Sequence, residues 1–135
     1  MSETRTGGCL CGAVRYTIMG APLVSGVCHC RNCQKQAGSA WSMLIGVPAG
    51  ALSVEGEPRT YLDHGDSGGA VRRQFCGTCG SPLFSHAEAV PGVVFVKAGT
   101  LDDTSDFVPA VQYYLKSKQN WVDLGAIPGF DTVPA

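Results

Sequence analysis

Seven cysteines stand in three short groups along 135 residues: Cys9 and Cys11, then Cys28, Cys30 and Cys33, then Cys76 and Cys79. Free cysteine is among the most buried residue types, but cysteines placed for packing alone would not all fall two or three positions from another. Cys-x-Cys on extended chain turns both side chains to one face, and Cys-x-x-Cys across a tight turn brings two sulfurs toward one ion. Gly12 follows the first pair, Gly77 lies inside the last turn and Gly80 follows it. Residues without a Cβ at such points let backbone N–H groups face thiolates. Soft thiolates make zinc the default ion, and seven ligands divide as four plus three. Four close a tetrahedral site; three leave a second ion one free position, which catalysis needs. Spacing alone leaves open which groups combine, because one ion can also take two sulfurs from the triplet. The two glycine-followed pairs make the more rigid partners.

Competing readings of the thiols fit less well. An odd count cannot pair into disulfides without a remainder, and the start Met1-Ser-Glu-Thr-Arg-Thr-Gly-Gly8 carries no apolar signal segment. The expected compartment is therefore a reducing cytoplasm, where clustered thiols mean metal or catalysis. An iron–sulfur cluster takes four cysteines and leaves three without an account. A thioredoxin-like dithiol at Cys30-Arg-Asn-Cys33 or Cys76-Gly-Thr-Cys79 lacks the βαβ context. His29, between two presumed ligands, is expected to point away from the ion and to serve hydrogen bonding or packing. His64 and His86 sit beside turn residues and read as surface histidines. Arg72, Arg73, Lys116 and Lys118 can attract a carboxylate ligand, but on alternating strands they read first as solvated faces.

The rest of the chain supplies a β scaffold. Its 18 glycines and 8 prolines exclude a mostly helical fold. Alternation at Val14, Tyr16 and Ile18 predicts a half-buried strand, as do Trp41–Val47, Leu52–Val54, Val71–Phe75, Val93–Val96 and Val111–Leu115. Turn clusters bound them at Glu55–Pro58, His64–Gly69 and Asp102–Pro109. One or two turns of helix are expected over Asn32–Ala37, stopped by Gly38. The tail from Ile127 to Ala135 should run irregularly over the surface, pinned by Phe130. Gln36–Val54 carries no charged residue, but Gly and Ser interrupt it too often for a bilayer span. The length suits one domain over residues 1–135, with a core about residues 5–125. A formal net charge of −1 leaves no global basic field for nucleic acid or anionic membrane. The expected partners are small molecules.

With these motifs in place, the chain resembles the glutathione-dependent formaldehyde-activating enzyme family, whose domain also occurs in centromere-protein-V-like proteins. The resemblance rests on Gly8-Cys-Leu-Cys-Gly12, Val14-Arg-Tyr16, Cys28-His-Cys-Arg-Asn-Cys33 with Gly38-Ser39, and Phe75-Cys-Gly-Thr-Cys-Gly80. Weaker echoes follow in Ala98-Gly-Thr-Leu-Asp102, Ser117-Lys118, Trp121 and Leu124–Phe130. It implies a mainly β, β-tent zinc-binding fold of small antiparallel sheets with two Zn²⁺ per chain. It also implies that Cys9, Cys11, Cys76 and Cys79 share a structural zinc, while Cys28, Cys30 and Cys33 carry a second zinc at the active site.

The chemistry the resemblance implies is addition of a thiol, glutathione or similar, to a small aldehyde such as formaldehyde, classified in reverse as a carbon–sulfur lyase. Three thiolates on Zn²⁺ sum to −1, which disfavours water activation but still acidifies an incoming thiol. The alternative is a non-catalytic binding module stabilised by both ions. Methionine sulfoxide reductase chemistry needs a catalytic cysteine beyond the seven. Chromatin or microtubule association needs a basic extension that this chain does not carry.

Overall fold

The structure is a computed structural model that describes residues 3–65 and 68–133. Asp66 and Ser67 of the expected turn cluster, Pro134 and Ala135 of the expected tail, and Met1 and Ser2 of the start lie outside the described residues. Among the described residues ten strands form two sheets. The smaller sheet joins β1 (Thr4–Gly8), β2 (Arg15–Met19) and β5 (Leu52–Glu55) in the order β1-β2-β5. The larger contains β3 (Val24–Cys28), β4 (Ser42–Pro48), β6 (Arg59–His64), β7 (Ala70–Phe75), β8 (Pro82–Ala87), β9 (Val93–Lys97) and β10 (Val111–Tyr113). Its order is β10-β3-β4-β9-β8-β7-β6. All pairs are antiparallel except β10 with β3. The fold is mainly β, as the turn-rich composition requires.

The core lies where one face of the larger sheet meets the smaller sheet. Ile45, Val47, Phe84, Val94 and Val96 pack against Val14, Tyr16 and Ile18, all buried. The Tyr16 ring meets Phe84 edge-on, centroids 5.4 Å apart, and its hydroxyl exchanges a 2.8 Å hydrogen bond with Thr100. Burial pushes that phenol up to about 12. Because side chains alternate along a strand, the other face of the larger sheet presents a separate row. In register there, Cys28 stands opposite Ser42 and Lys97 opposite Leu44, while Arg73 lies opposite both Ser85 and Tyr61.

The helix α1 (Arg31–Ala37) follows β3 directly. Its N-cap is the Cys30 sulfur, which accepts from the Cys33 N–H at 3.2 Å, and Gly38 ends it at φ 66°. Only a residue without a Cβ adopts that left-handed cap at little cost. Gln36–Val54 resolves into the end of α1, β4, a 3₁₀ turn at Ala49–Ala51 and β5. Among the described residues no helix is long and apolar enough to cross a membrane.

Two expectations need correction. The strand expected over Val111–Leu115 stops at Tyr113, because Tyr114 turns into the left-handed region at φ 58°. Its buried residue is Gln112 rather than the apolar alternates. Gln112 is held between β3 on one side and the tail bridge to Gly129 on the other. The tail is pinned there, with the Phe130 ring stacked on Tyr113 at 6.4 Å. Phe84→Ala should empty the centre of the core and lower unfolding free energy by about 3–5 kcal/mol, read from urea denaturation of matched samples.

Candidate metal centres

Two tight loops, one from each sheet, build the first cluster. In the β1–β2 loop the Cys9 N–H donates to the Val14 carbonyl at 3.0 Å and the Gly12 N–H to the Cys9 carbonyl at 3.2 Å. The β7–β8 loop repeats the device, the Cys76 N–H on the Ser81 carbonyl at 2.9 Å and the Gly80 N–H on the Cys76 carbonyl at 2.8 Å. Gly12 and Gly80 close these loops at φ 83° and 82°. Together they bring the sulfurs of Cys9, Cys11, Cys76 and Cys79 within 4.8 Å of one another. Cys11 lies 3.7 Å from both Cys9 and Cys76. A tetrahedron with metal–sulfur bonds of about 2.3 Å has sulfur–sulfur edges of about 3.8 Å, so the set fits a closed four-thiolate site.

Backbone donors face the same sulfurs. The Val14 N–H reaches Cys9 at 3.3 Å, and the Thr78 and Cys79 N–H groups reach Cys76 at 3.4 and 3.5 Å. Ser81 contacts Cys79 at 3.2 Å; its hydroxyl first, then its N–H and that of Cys11, brings the Cys79 thiol down to about 5. The Ser81 oxygen also accepts from the Leu10 N–H at 3.0 Å, tying one loop to the other.

The second cluster sits at the opposite face of the larger sheet. Cys28 ends β3, Cys30 caps α1 and Cys33 lies in its first turn; their sulfurs also fall within 4.8 Å of one another. Each residue keeps 7–8% of its surface exposed, so the cluster is enclosed but not sealed. Leu44, Tyr113 and Tyr114 wall it. Hydrogen bonds from Cys28 and Cys30, with the positive charges of Lys97 and Arg73, hold the Cys33 thiol far below its ordinary value against burial. The same sulfur contacts and burial push Cys28 up. The three sulfurs titrate as a coupled group rather than as independent thiols. The three-sulfur donor set fits a soft ion with a fourth position free.

The remaining residues singled out from the sequence divide cleanly. His29 is fully buried beside the second cluster without joining it: its Nε2 donates to the Gln112 Oε1 at 3.0 Å, and its Nδ1 has no hydrogen-bond partner among the described residues. Its ring meets Trp41 edge-on, centroids 6.3 Å apart. Gln34 braces this corner, its amide donating to the His29 and Ser117 carbonyls at 2.7 and 3.0 Å. His64 is exposed, and His86 is half-buried against Gln74 at 2.8 Å. Lys116 is exposed, and the Lys118 Nζ is spent on the Val122 carbonyl at 2.6 Å.

The solvated-face reading holds for Arg72, which is exposed, and fails for Arg73, which is buried and pairs with Asp63 at 2.8 Å. Asn32, between two of the cysteines, donates to Asp63 at 3.2 Å and to the His64 carbonyl at 3.0 Å, so α1 is tied to β6. A cavity of about 440 Å³ opens here, lined in part by Asn32, Lys35, Gln36, Tyr61 and Arg73. Sequence reasoning missed Lys97, Ser42 and Asp63. The signal for Lys97 is a charge that ends the apolar run Val93–Val96, at a position whose alternation turns it away from the core.

The model of the glutathione-dependent formaldehyde-activating enzymes matches residues 4–117. No curated protein sequence matches the chain. Among solved structures, the crystal structure of a Rhodobacter sphaeroides protein superposes with a TM-score of 0.59 at 21% identity, covering 93% of this chain and 99% of that one. At that identity the likeness concerns the fold alone.

Burial works to raise the Asp63 carboxyl, but Arg73, the His64 N–H and Asn32 outweigh it and hold the group below its ordinary 3.8. A depressed folded-state value means the pair stabilises the fold above the ordinary value and ceases to do so as pH falls through the lowered one. Asp63→Asn, leaving Arg73 buried beside a neutral amide, should cost about 1–3 kcal/mol at neutral pH in urea denaturation. That difference from wild type should shrink on acidification below about pH 4.

Proposed function

Since the chain belongs to the family of glutathione-dependent formaldehyde-activating enzymes, we propose that it is a zinc-dependent carbon–sulfur lyase of that type, joining glutathione or a related thiol to a small aldehyde. Cys9, Cys11, Cys76 and Cys79 would hold a structural zinc; Cys28, Cys30 and Cys33 would hold a second, reactive one. The observation that carries the reading is the contrast between the clusters. One offers four sulfurs and fills a tetrahedron; the other offers three, among two buried cations and a partly open wall. Bound at the three-thiol cluster, Zn²⁺ would supply a thiol-acidifying centre with one free position.

The chain's own residues account for the rest. Tyr113, Tyr114 and Leu44 shield the cluster from much of the solvent, so the charges of Arg73 and Lys97 are less screened there than at the surface. The neighbouring cavity, with Lys35 and the Arg73–Asp63 pair at its wall, offers room and polar partners for the body of a peptide-like thiol. In the reaction the thiol sulfur forms a bond to the carbonyl carbon. The carbonyl π pair moves to oxygen, and the proton released by the thiol ends on that oxygen, giving a hydroxymethyl thioether.

Metal counting by plasma mass spectrometry should find two zinc ions in the purified chain. Cys76→Ser should lose one and cost several kcal/mol of stability, because closed four-ligand binding is coupled to folding. Cys30→Ser should lose the other and keep the fold, since serine also caps a helix. It should also abolish glutathione-dependent formaldehyde consumption. Two zincs in wild type with no consumption for any thiol tested would move the reading to a zinc-stabilised binding module.

A further inference from the structure

Lys97 is the only buried lysine among the described residues, with 8% of its surface exposed. An ammonium group in that position needs a counter-charge or a hydrogen-bonded neighbour. Among the described residues no carboxylate lies within ion-pairing distance of it; its Nζ donates instead to the Ser42 hydroxyl at 2.5 Å, and Ser42 is itself 1% exposed and neutral. The sheet register turns Lys97 toward sulfur. Lys97 stands opposite Leu44 and Ser42 opposite Cys28, on the face where Leu44 packs against the cysteine cluster. Arg73, the other buried cation, also acts on Cys33 but is shared with Asp63 at 2.8 Å. Lys97 is therefore the buried cation of this corner that no carboxylate among the described residues pairs with. Burial and the neighbouring Arg73 pull its ammonium down, and the sulfurs, Cys33 foremost, draw it back up.

A neutral fourth ligand leaves three thiolates and a divalent ion at −1, whereas a thiolate takes the centre to −2. A fixed cation in a poorly solvated setting favours the second state over the first. We propose that Lys97, anchored by Ser42, is a positioning residue whose charge makes the free position of the three-thiol centre selective for an anionic sulfur ligand over a neutral one. This rests on a metal held by Cys28, Cys30 and Cys33, as in the function proposed above. It requires no contact between Lys97 and the ligand. The incoming thiol binds as thiolate and releases its proton to the buffer.

The test uses the full chain loaded with cobalt, titrated at one pH with 2-mercaptoethanol, a thiol without carboxylates, and with imidazole, a neutral ligand, following the cobalt absorption bands. Lys97→Gln should weaken mercaptoethanol binding about tenfold or more while leaving imidazole within about twofold. Lys97→Arg, which keeps the charge, should recover most of the loss. Should Lys97→Gln fail to fold, Ser42→Ala releases the anchor with the charge retained, and should lower the ratio of thiol to imidazole affinity. Equal weakening of both probes, no change in either, or an unchanged ratio in Ser42→Ala overturns the inference. So does wild-type protein that takes imidazole but no thiol, or no second ion. Thiol selectivity that depends on Lys97 in a protein inert toward glutathione and formaldehyde would sink the lyase reading and leave this inference standing.

Discussion

The meeting of two glycine-closed loops sets the geometry of the whole molecule. One loop belongs to the smaller sheet and carries Cys9 and Cys11; the other joins β7 to β8 in the larger sheet and carries Cys76 and Cys79. Where their sulfurs converge, the two sheets are fixed at one end, and Tyr16, Ile18, Ile45, Phe84 and Val96 fill the space behind. The loops are far apart in the chain, so drawing them together carries a closure entropy that weak thiol contacts alone cannot offset. Four thiolates on a divalent ion would, and that is the role a closed site could play at this junction.

The larger sheet then separates structure from chemistry by its pleat. Its inner face is apolar and packs on the smaller sheet, while its outer face carries Cys28, Ser42, Lys97, Arg73 and Asp63. A bare polar row would be solvated. Here α1 lies across it, tied through Asn32 to Asp63, and the row becomes a half-enclosed pocket in which charges act strongly on one another. The same short helix that contributes two of the three sulfurs thereby also supplies the roof. Capping by Cys30 links the two roles, since the sulfur that would bind a metal also satisfies the first turn of the helix.

Alternation made β2 readable because one of its faces lies in the apolar core, and apolar runs between turns made β4, β5 and β9 readable; β7 alternates too, but the residue it buries is Arg73. β1, β3, β6 and β8 escaped for physical reasons. Thr4–Gly8 offers almost no apolar face and pairs by backbone alone; β6 is an edge strand exposed along most of its length; and Ser25-Gly26 and Pro82 break the pattern in β3 and β8. Alternation also misleads where a buried face is polar. Gln112 lies inside because it bonds His29 and the Ile127 carbonyl, and Arg73 because Asp63 neutralises it. Neither partner is adjacent in sequence.

By itself the sequence determined what local spacing can determine: three thiol groups able to chelate, a turn-rich β chain, and a turn or two of helix over Asn32–Ala37 that stops at Gly38. Tertiary structure decided which groups meet, which strand runs parallel, and that a lysine at the end of β9 lies within electrostatic reach of the three sulfurs with no carboxylate among the described residues paired to it. The division follows from range. Chelating spacing and capping act over three or four residues, whereas sheet register sets partners many tens of residues apart, and the electrostatics of the three-thiol pocket is a property of that register alone.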